Sequence, residues 1–226
     1  MTVKQNNGSP ALSARLKAIL EMIEPCTRLI DIGTDHCHIP VSAILNGLAK
    51  SAIATDIREG PLKIALGNVS GYNLDDKIKL IKTDGLKGIN TFPDDCIVIS
   101  GMGGYEIISI LRDSMPKSEN IILQPQKSLT ELRRFLSQEG YVILDEKIIK
   151  EGKRYYVAIK TVYKGVGYKL NLSQQVAGPL ILNNKPEYFK EYILHLLKQI
   201  SKMKKSDVTL EEVEHKLEME LHDYEN

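Results

Sequence analysis

The chain has 226 residues, 42% of them hydrophobic, with a formal net charge of +1, which suits one α/β domain plus a smaller unit with a real core. Three cysteines without regular spacing exclude a disulfide framework, and no apolar run approaches the roughly 18 residues that a membrane span needs, so a soluble, cytoplasmic protein is expected. Near-neutral charge argues neither for nor against nucleic acid as a partner, since a local basic face can coexist with it.

The first ten residues are polar, carry no signal-peptide pattern and are expected to be disordered. Leu12, Leu16, Ile19, Leu20 and Ile23 then recur at helical spacing, with Ser13 at the start. Arg28-Leu29-Ile30-Asp31 reads as a strand ended by Gly33. A helix follows over 40–48, with Pro40 tolerated in its first turn. Strand 51–56 and a helix opened by Gly60-Pro61 come next, then strand 78–81 leading to Thr83-Asp84-Gly85. The run 96–100 is a uniformly apolar strand, 105–111 a helix, 120–124 a strand and 128–138 a helix. Two final strands, 141–149 and 154–163, are joined by Lys150-Glu151-Gly152-Lys153, where Gly152 suits a hairpin loop.

Strands alternating with helices predict a parallel, doubly wound sheet, and runs apolar on both faces fit a buried one. The close-set last pair predicts an antiparallel hairpin at one edge. This α/β pattern resembles the class I methyltransferase fold, which is Rossmann-like. The expected division is 1–164 for that domain and 165–226 for a helical coiled-coil domain. In the second part, 176–179 and 183–186 read as loops. Helices are expected over 187–202 and 208–221, paired as an antiparallel hairpin across Lys204-Lys205-Ser206-Asp207.

In open parallel sheets ligands sit beyond the carboxyl ends of the strands. Candidate residues are dense there: Asp31-Ile32-Gly33-Thr34-Asp35-His36, Asp56 with Ile57, Asp84-Gly85, Ser100 through Gly101-Met102-Gly103-Gly104, and Gln124-Pro125. Gly33 lets a ligand approach the backbone. Asp56 lies about twenty residues beyond the glycine turn, where a carboxylate accepts both ribose hydroxyls of an adenosine. Asp84 can reach an adenine amino group. Asp31 and Asp35 put negative charge where a sulfonium or ammonium would rest, whereas a pyrophosphate wants glycines and a free helix N-terminus. Together these residues point to S-adenosylmethionine as cofactor. The plain alternatives are helix caps or turn residues for Asp31 and Asp56, and a tight turn for the glycine run.

His36, Cys37 and His38 invite a metal reading, but lack the paired spacings of a structural zinc site, and no metal is expected. Cys26, placed before the first strand, is in the wrong position for a pyrimidine-methylating nucleophile; all three cysteines read as structural. The basic residues Arg15, Arg112, Arg133, Arg134, Lys147, Lys150, Lys153 and Arg154 are candidates for a phosphate-binding surface, with the 150–154 loop and Lys202, Lys204 and Lys205 favoured.

Leu12-Ser13 with Arg15-Leu16, the 31–36 turn, Asp56 with Gly60-Pro61-Leu62, Asp84-Gly85-Leu86, the 101–104 run and Leu123-Gln124-Pro125-Gln126 occur in this order over 12–182. The set resembles the bacterial tRNA (adenine-N1)-methyltransferase family that modifies position 22 in the D-arm. Cys37-His38 departs from its pattern, which has a small residue followed by an aromatic. The resemblance implies tRNA as substrate, S-adenosylmethionine as cofactor and methylation of adenine N1. It implies cofactor contacts from Asp31, Gly33, His36, Asp56, Ile57, Asp84, Gly85, Gly101 and Met102. It further implies Asp35 as the catalytic candidate, and substrate contacts from Arg15, Gly103, Gly104, Gln124, Lys153 and Arg154. No membrane and no obligatory protein partner are implied. A nicotinamide oxidoreductase and a non-catalytic adenosyl- or RNA-binding module remain the alternatives; the first lacks its Gly-x-Gly-x-x-Gly turn.

Overall fold

A computed structural model describes residues 8–202 and 208–225. The polar start over 1–7 and the Lys204-Lys205 cluster therefore lie outside the described residues. Seven strands form one sheet: β1 (Cys26–Ile32), β2 (Ala49–Asp56), β3 (Ile78–Lys82), β4 (Asp95–Met102), β5 (Asn120–Pro125), β6 (Tyr141–Glu151) and β7 (Arg154–Tyr163). Their order is β3-β2-β1-β4-β5-β7-β6. The first five are parallel, and the β6–β7 hairpin joins antiparallel to β5. This is the Rossmann-like methyltransferase sheet that the alternating pattern predicts.

The uniformly apolar runs have a simple cause. Side chains alternate across a pleated strand, and here each face carries its own apolar cluster. Ile30, Ile32, Ile97, Ile99, Ile121 and Leu123 enter one cluster. Their neighbours Leu29, Cys96, Val98 and Ile122 enter the other. The second face is covered by α1 (Ala14–Met22), α2 (His38–Leu45) and α3 (Glu59–Gly71). The first is covered by α4 (Gly104–Ser114), α5 (Leu129–Gln138) and the C-terminal helices. Ser13 caps α1 by accepting from the Leu16 N–H.

Several boundaries shift from their expected places. Helix α2 starts at His38 and stops at Leu45, because Ala49 already pairs with Cys26 as the sheet begins. Cys26 thus opens β1 rather than preceding it. Strands β1 and β4 are neighbours, which brings Cys26 and Cys96 together, and hydrogen bonding toward Cys96 holds the Cys26 thiol below its usual range.

The expected loop at 176–179 is helical apart from Gly178, and the one at 183–186 is helical only over Asn183 and Asn184. They overlap α6 (Leu172–Ala177) and α7 (Pro179–Asn184). Asn171 and Gln174 form a capping box on α6, and Pro179 opens α7 at its first position. Beyond them, α8 (Phe189–Ile200) and α9 (Val208–Glu225) pack together. Phe189, at the start of α8, meets Tyr224 near the end of α9, and Lys190 pairs with Glu225, so the pair is antiparallel. Phe189, Tyr192, Ile193, Val213 and Leu217 join the same apolar cluster as the sheet. No helix among the described residues is long and apolar enough to cross a membrane.

One expected phosphate-binding residue lies in the interior. The Arg133 and Glu146 side chains are fully buried, with Nε 2.7 Å from Oε1. Arg133 also donates to the carbonyls of Gln175 and Val176 at 3.1 and 2.8 Å, and Glu146 accepts from Leu180 N at 3.0 Å. A buried guanidinium needs such partners, so Arg133 clamps the α6–α7 junction to the sheet and cannot face RNA. Gly178, at φ +111°, leaves the room: a Cβ there would sit 2.7 Å from both side chains.

Candidate functional site

The carboxyl ends of β1 to β5 border one cavity of about 940 Å³. It brings together Asp31, Gly33, Asp35, His36, Asp56, Ile57, Asp84, Gly85, Gly101, Met102, Gln124 and, from α1, Arg15. Asp31 and Gln124, 93 positions apart in the chain, thus meet because parallel strands end on one edge.

Each wall has a local cause. Asp31 is the penultimate residue of β1 and is buried. Its Oδ2 accepts from Thr34 Oγ1 at 2.6 Å. Burial pushes its carboxyl up to about 6, against the lowering effect of that hydrogen bond. Gly33 turns at φ +72°, and a Cβ there would fall 2.3 Å from the Met102 methyl. Glycine is therefore needed for both the turn and the crossing of Met102. Asp35 and Cys37 also adopt left-handed backbone. Asp35 is largely exposed and lies 3.3 Å from His36 Nε2. Cys37 is buried, and burial with the nearby Asp31 pushes its thiol up to about 12, far from a metal-binding thiolate. Burial likewise lowers His38.

On the opposite side, Asp56 ends β2 with its side chain 5% exposed. It accepts from Arg58 N at 2.8 Å, which fixes the carboxylate at the strand end. Asp84 follows β3 and pairs with Lys87 at 2.5 Å. The glycine run closes the third side. Gly101 turns at φ +77°. Gly103 N–H donates to Glu106 Oε2 at 2.6 Å, a cap on α4. Gly104 N donates to Lys127 O at 2.9 Å, and Gln126 N to Met102 O at 2.8 Å, lacing this loop to the one after β5. A Cβ on Gly104 would sit 2.3 Å from Ser128 O. Gly103 and Gly104 thus stand behind the wall formed by Gly101 and Met102. Gln124 is buried, its Nε2 donating to Pro125 O.

Lys153 and Arg154 lie outside the cavity, at the tip of the β6–β7 hairpin. Register extends that tip past the carboxyl end of β5. Arg15 bridges the two, lining the cavity and pairing with Glu151 at 3.1 Å while its guanidinium stacks on Tyr156. Lys147 pairs with Glu21, Arg112 lies over Phe135, and Lys150 lies over Tyr155 and Tyr188. Thr34 and Gln126, quoted in the motifs but given no role of their own, also line the cavity, and sequence reasoning missed Arg58, Lys87 and Glu106 there. Only Glu106 carried a signal, three residues after its glycine cap.

The family model described as "Methyltransferase domain" matches residues 12–159. The tRNA (adenine(22)-N(1))-methyltransferase of Bacillus subtilis is 34% identical over 188 residues, covering 79% of this chain and 78% of that protein. Streptococcus pneumoniae Sp1610, solved in complex with S-adenosyl-L-methionine, is 27% identical with a TM-score of 0.84 over 94% of this chain and 100% of that one. The structure of M. capricolum TrmK with S-adenosyl-homocysteine is 28% identical, with a TM-score of 0.77 over 94% of this chain and 97% of that one. With its sheet order, its cavity at the strand ends and these likenesses, the chain belongs to the methyltransferase family that includes the Bacillus subtilis tRNA (adenine(22)-N(1))-methyltransferase.

Proposed function

We propose that this chain transfers a methyl group from S-adenosylmethionine to N1 of adenine 22 in the D-arm of bacterial tRNA. The observation that carries the reading is one continuous cavity with two unlike ends: carboxylates beyond β1, β2 and β3, and the glycine loop beyond β4, meeting where Met102 crosses Gly33. The donor set fits the cofactor. A buried carboxylate at Asp56 suits a ribose diol, Asp84 and Gly85 suit the adenine edge, and Asp31, Gly33 and His36 face the methionyl end. Bound there, the cofactor supplies a methyl group activated on a sulfonium.

Adenine N1 is a neutral nucleophile with a lone pair, so the protein need not remove a proton first. Its tasks are to strip the base from any pair or stack and to hold it in line. Gly101 and Met102, backed by Gly103 and Gly104, form the slot, with Gln124 beneath. Arg15, Lys153 and Arg154 reach toward the RNA backbone. The methylated base is cationic, and Asp35 is the carboxylate placed to stabilise that charge. Because Asp35 is 61% exposed in its side chain, solvent weakens its effect. Asp35→Asn should lower kcat about tenfold while leaving S-adenosylhomocysteine affinity unchanged. An unchanged kcat removes Asp35 from the reaction.

Mapping the methylated nucleotide in tRNA treated with the protein tests the whole reading; incorporation elsewhere than N1 of adenine 22, or none, refutes it. Thermal protection by S-adenosylhomocysteine but not by NAD separates it from an oxidoreductase. Asp56→Ala should weaken S-adenosylhomocysteine binding about tenfold, measured by calorimetry. Wild-type affinity in that variant would exclude the ribose role.

A further inference from the structure

We propose that Lys127 holds a backbone phosphate of the target nucleotide at the rim of the cavity, beside the glycine loop. This rests on the RNA-methylating reading above and adds a contact that reading lacks.

The charge of the cavity poses the problem. Six carboxylates line it (Asp31, Asp35, Asp56, Asp84, Glu106 and Asp113) against three lysine or arginine side chains. A nucleotide entering such a site brings a phosphate into a field of its own sign. Two of the lining cations are committed to cavity carboxylates, Arg58 to Asp56 and Lys87 to Asp84, and Arg15, set toward the RNA backbone in that reading, is shared with Glu151.

Lys127 stands just outside this set. It is exposed and has no carboxylate partner among the described residues. Its position is nevertheless fixed. Its carbonyl accepts from Gly104 N, and the adjacent Gln126 N donates to Met102 O, so residues 126 and 127 are tied to the acceptor loop. Its Cε lies 3.1 Å from where a Cβ on Gly103 would stand. The lysine stem therefore lies across the glycine loop, and the absence of a side chain at Gly103 lets it do so. A base seated against Gly101 and Met102 leaves its own phosphates outside, at that rim. Glu106 Oε2 lies 3.2 Å from the same point, but it accepts from the Gly103 N–H and forms no ion pair with Lys127, so the ammonium's three donors suit a phosphate oxygen there.

The test compares Lys127→Gln with Lys127→Arg and with Lys50→Gln. Lys50 is an exposed lysine at the start of β2, on the edge of the sheet away from the cavity. Methylation of unmodified tRNA is followed from about 50 to 200 mM salt, and S-adenosylhomocysteine affinity is measured on each variant. Lys127→Gln should raise KM for tRNA about fivefold and flatten its log–log salt dependence by about one, with cofactor affinity unchanged. Lys127→Arg should retain most of the wild-type KM, and Lys50→Gln should match wild type. Wild-type KM and salt slope in Lys127→Gln overturn the phosphate contact while leaving the tRNA reading intact. Equal loss in the arginine and glutamine variants overturns it too, by showing that packing rather than charge matters. Failure of the wild-type protein itself to modify tRNA overturns the underlying reading, a result seen without any variant.

Discussion

Arg133→Ala should cost about 3–5 kcal/mol of folding stability, the penalty for leaving a buried charge without its partner. Glu146 would remain fully buried with only the Leu180 N–H and its own strand around it. The Gln175 and Val176 carbonyls would lose their donor as well. A domain of ordinary stability holds about 5–15 kcal/mol, so this one change removes a large fraction. The loss should concentrate in the C-terminal helices, because the clamp joins α5 and β6 to the α6–α7 junction. Urea unfolding measures the total, and hydrogen exchange at Leu180 and along α8 reports where it falls. A drop below about 1 kcal/mol would show that the pair does not hold the junction. Replacing both partners, as Arg133→Met with Glu146→Leu, should recover much of the loss, since an apolar pair of similar volume carries no desolvation cost.

This clamp bears on what the C-terminal segment does. Deleting 187–226 is a natural way to ask whether those helices grip RNA. Phe189, Tyr192 and Ile193, however, pack into the same cluster as Ile30 and Ile97. Truncation would uncover that cluster and mix a folding defect with a binding one. Point changes on the exposed faces separate the two.

Arg133 also marks where sequence reading stops. Between Leu132 and Phe135 it looks like a surface residue of an amphipathic helix. Its burial depends on a glutamate thirteen residues later and on carbonyls more than forty residues away. Nothing local reports that. By contrast, the strands were legible because two-sided burial leaves no polar residue in runs such as 96–99, and the alternation of Ile97 and Val98 between two clusters is the reason. Asp31, Asp56 and Asp84 were legible because parallel strands place their ends on one edge. Arg58 and Lys87, which neutralise two of those carboxylates, were not, since surface lysines and arginines abound. Helices α6 and α7 were missed because six residues span fewer than two helical turns, too few for an apolar repeat to show, and Gly178-Pro179 reads as a break although it is a junction between two helices.

Asp31→Asn should stabilise the cofactor-free protein at neutral pH while weakening its hold on the cofactor. The carboxyl of Asp31 titrates near 6 in the folded chain, against an ordinary value of 3.8, and burial is the main cause. The folded state therefore binds a proton that the unfolded state has already released between those two values. Stability must fall as pH rises through that window, and the deficit is constant above it. At about 1.4 kcal/mol per pH unit of separation, the full cost is about 3 kcal/mol. An asparagine keeps the Thr34 hydrogen bond and carries no charge. The difference in stability between variant and wild type should then be near zero at pH 4 and approach about 3 kcal/mol at pH 7. The wild type accepts this cost because an ionised Asp31 is what attracts the ammonium of the methionyl end, in the reading proposed above. Protection of the wild type by S-adenosylhomocysteine should accordingly grow about tenfold in apparent affinity from pH 5 to pH 7. In Asp31→Asn it should be weaker and flat across the same range. Two outcomes would refute the argument: an asparagine variant no more stable than wild type at pH 7, or a wild-type affinity that does not change through pH 6.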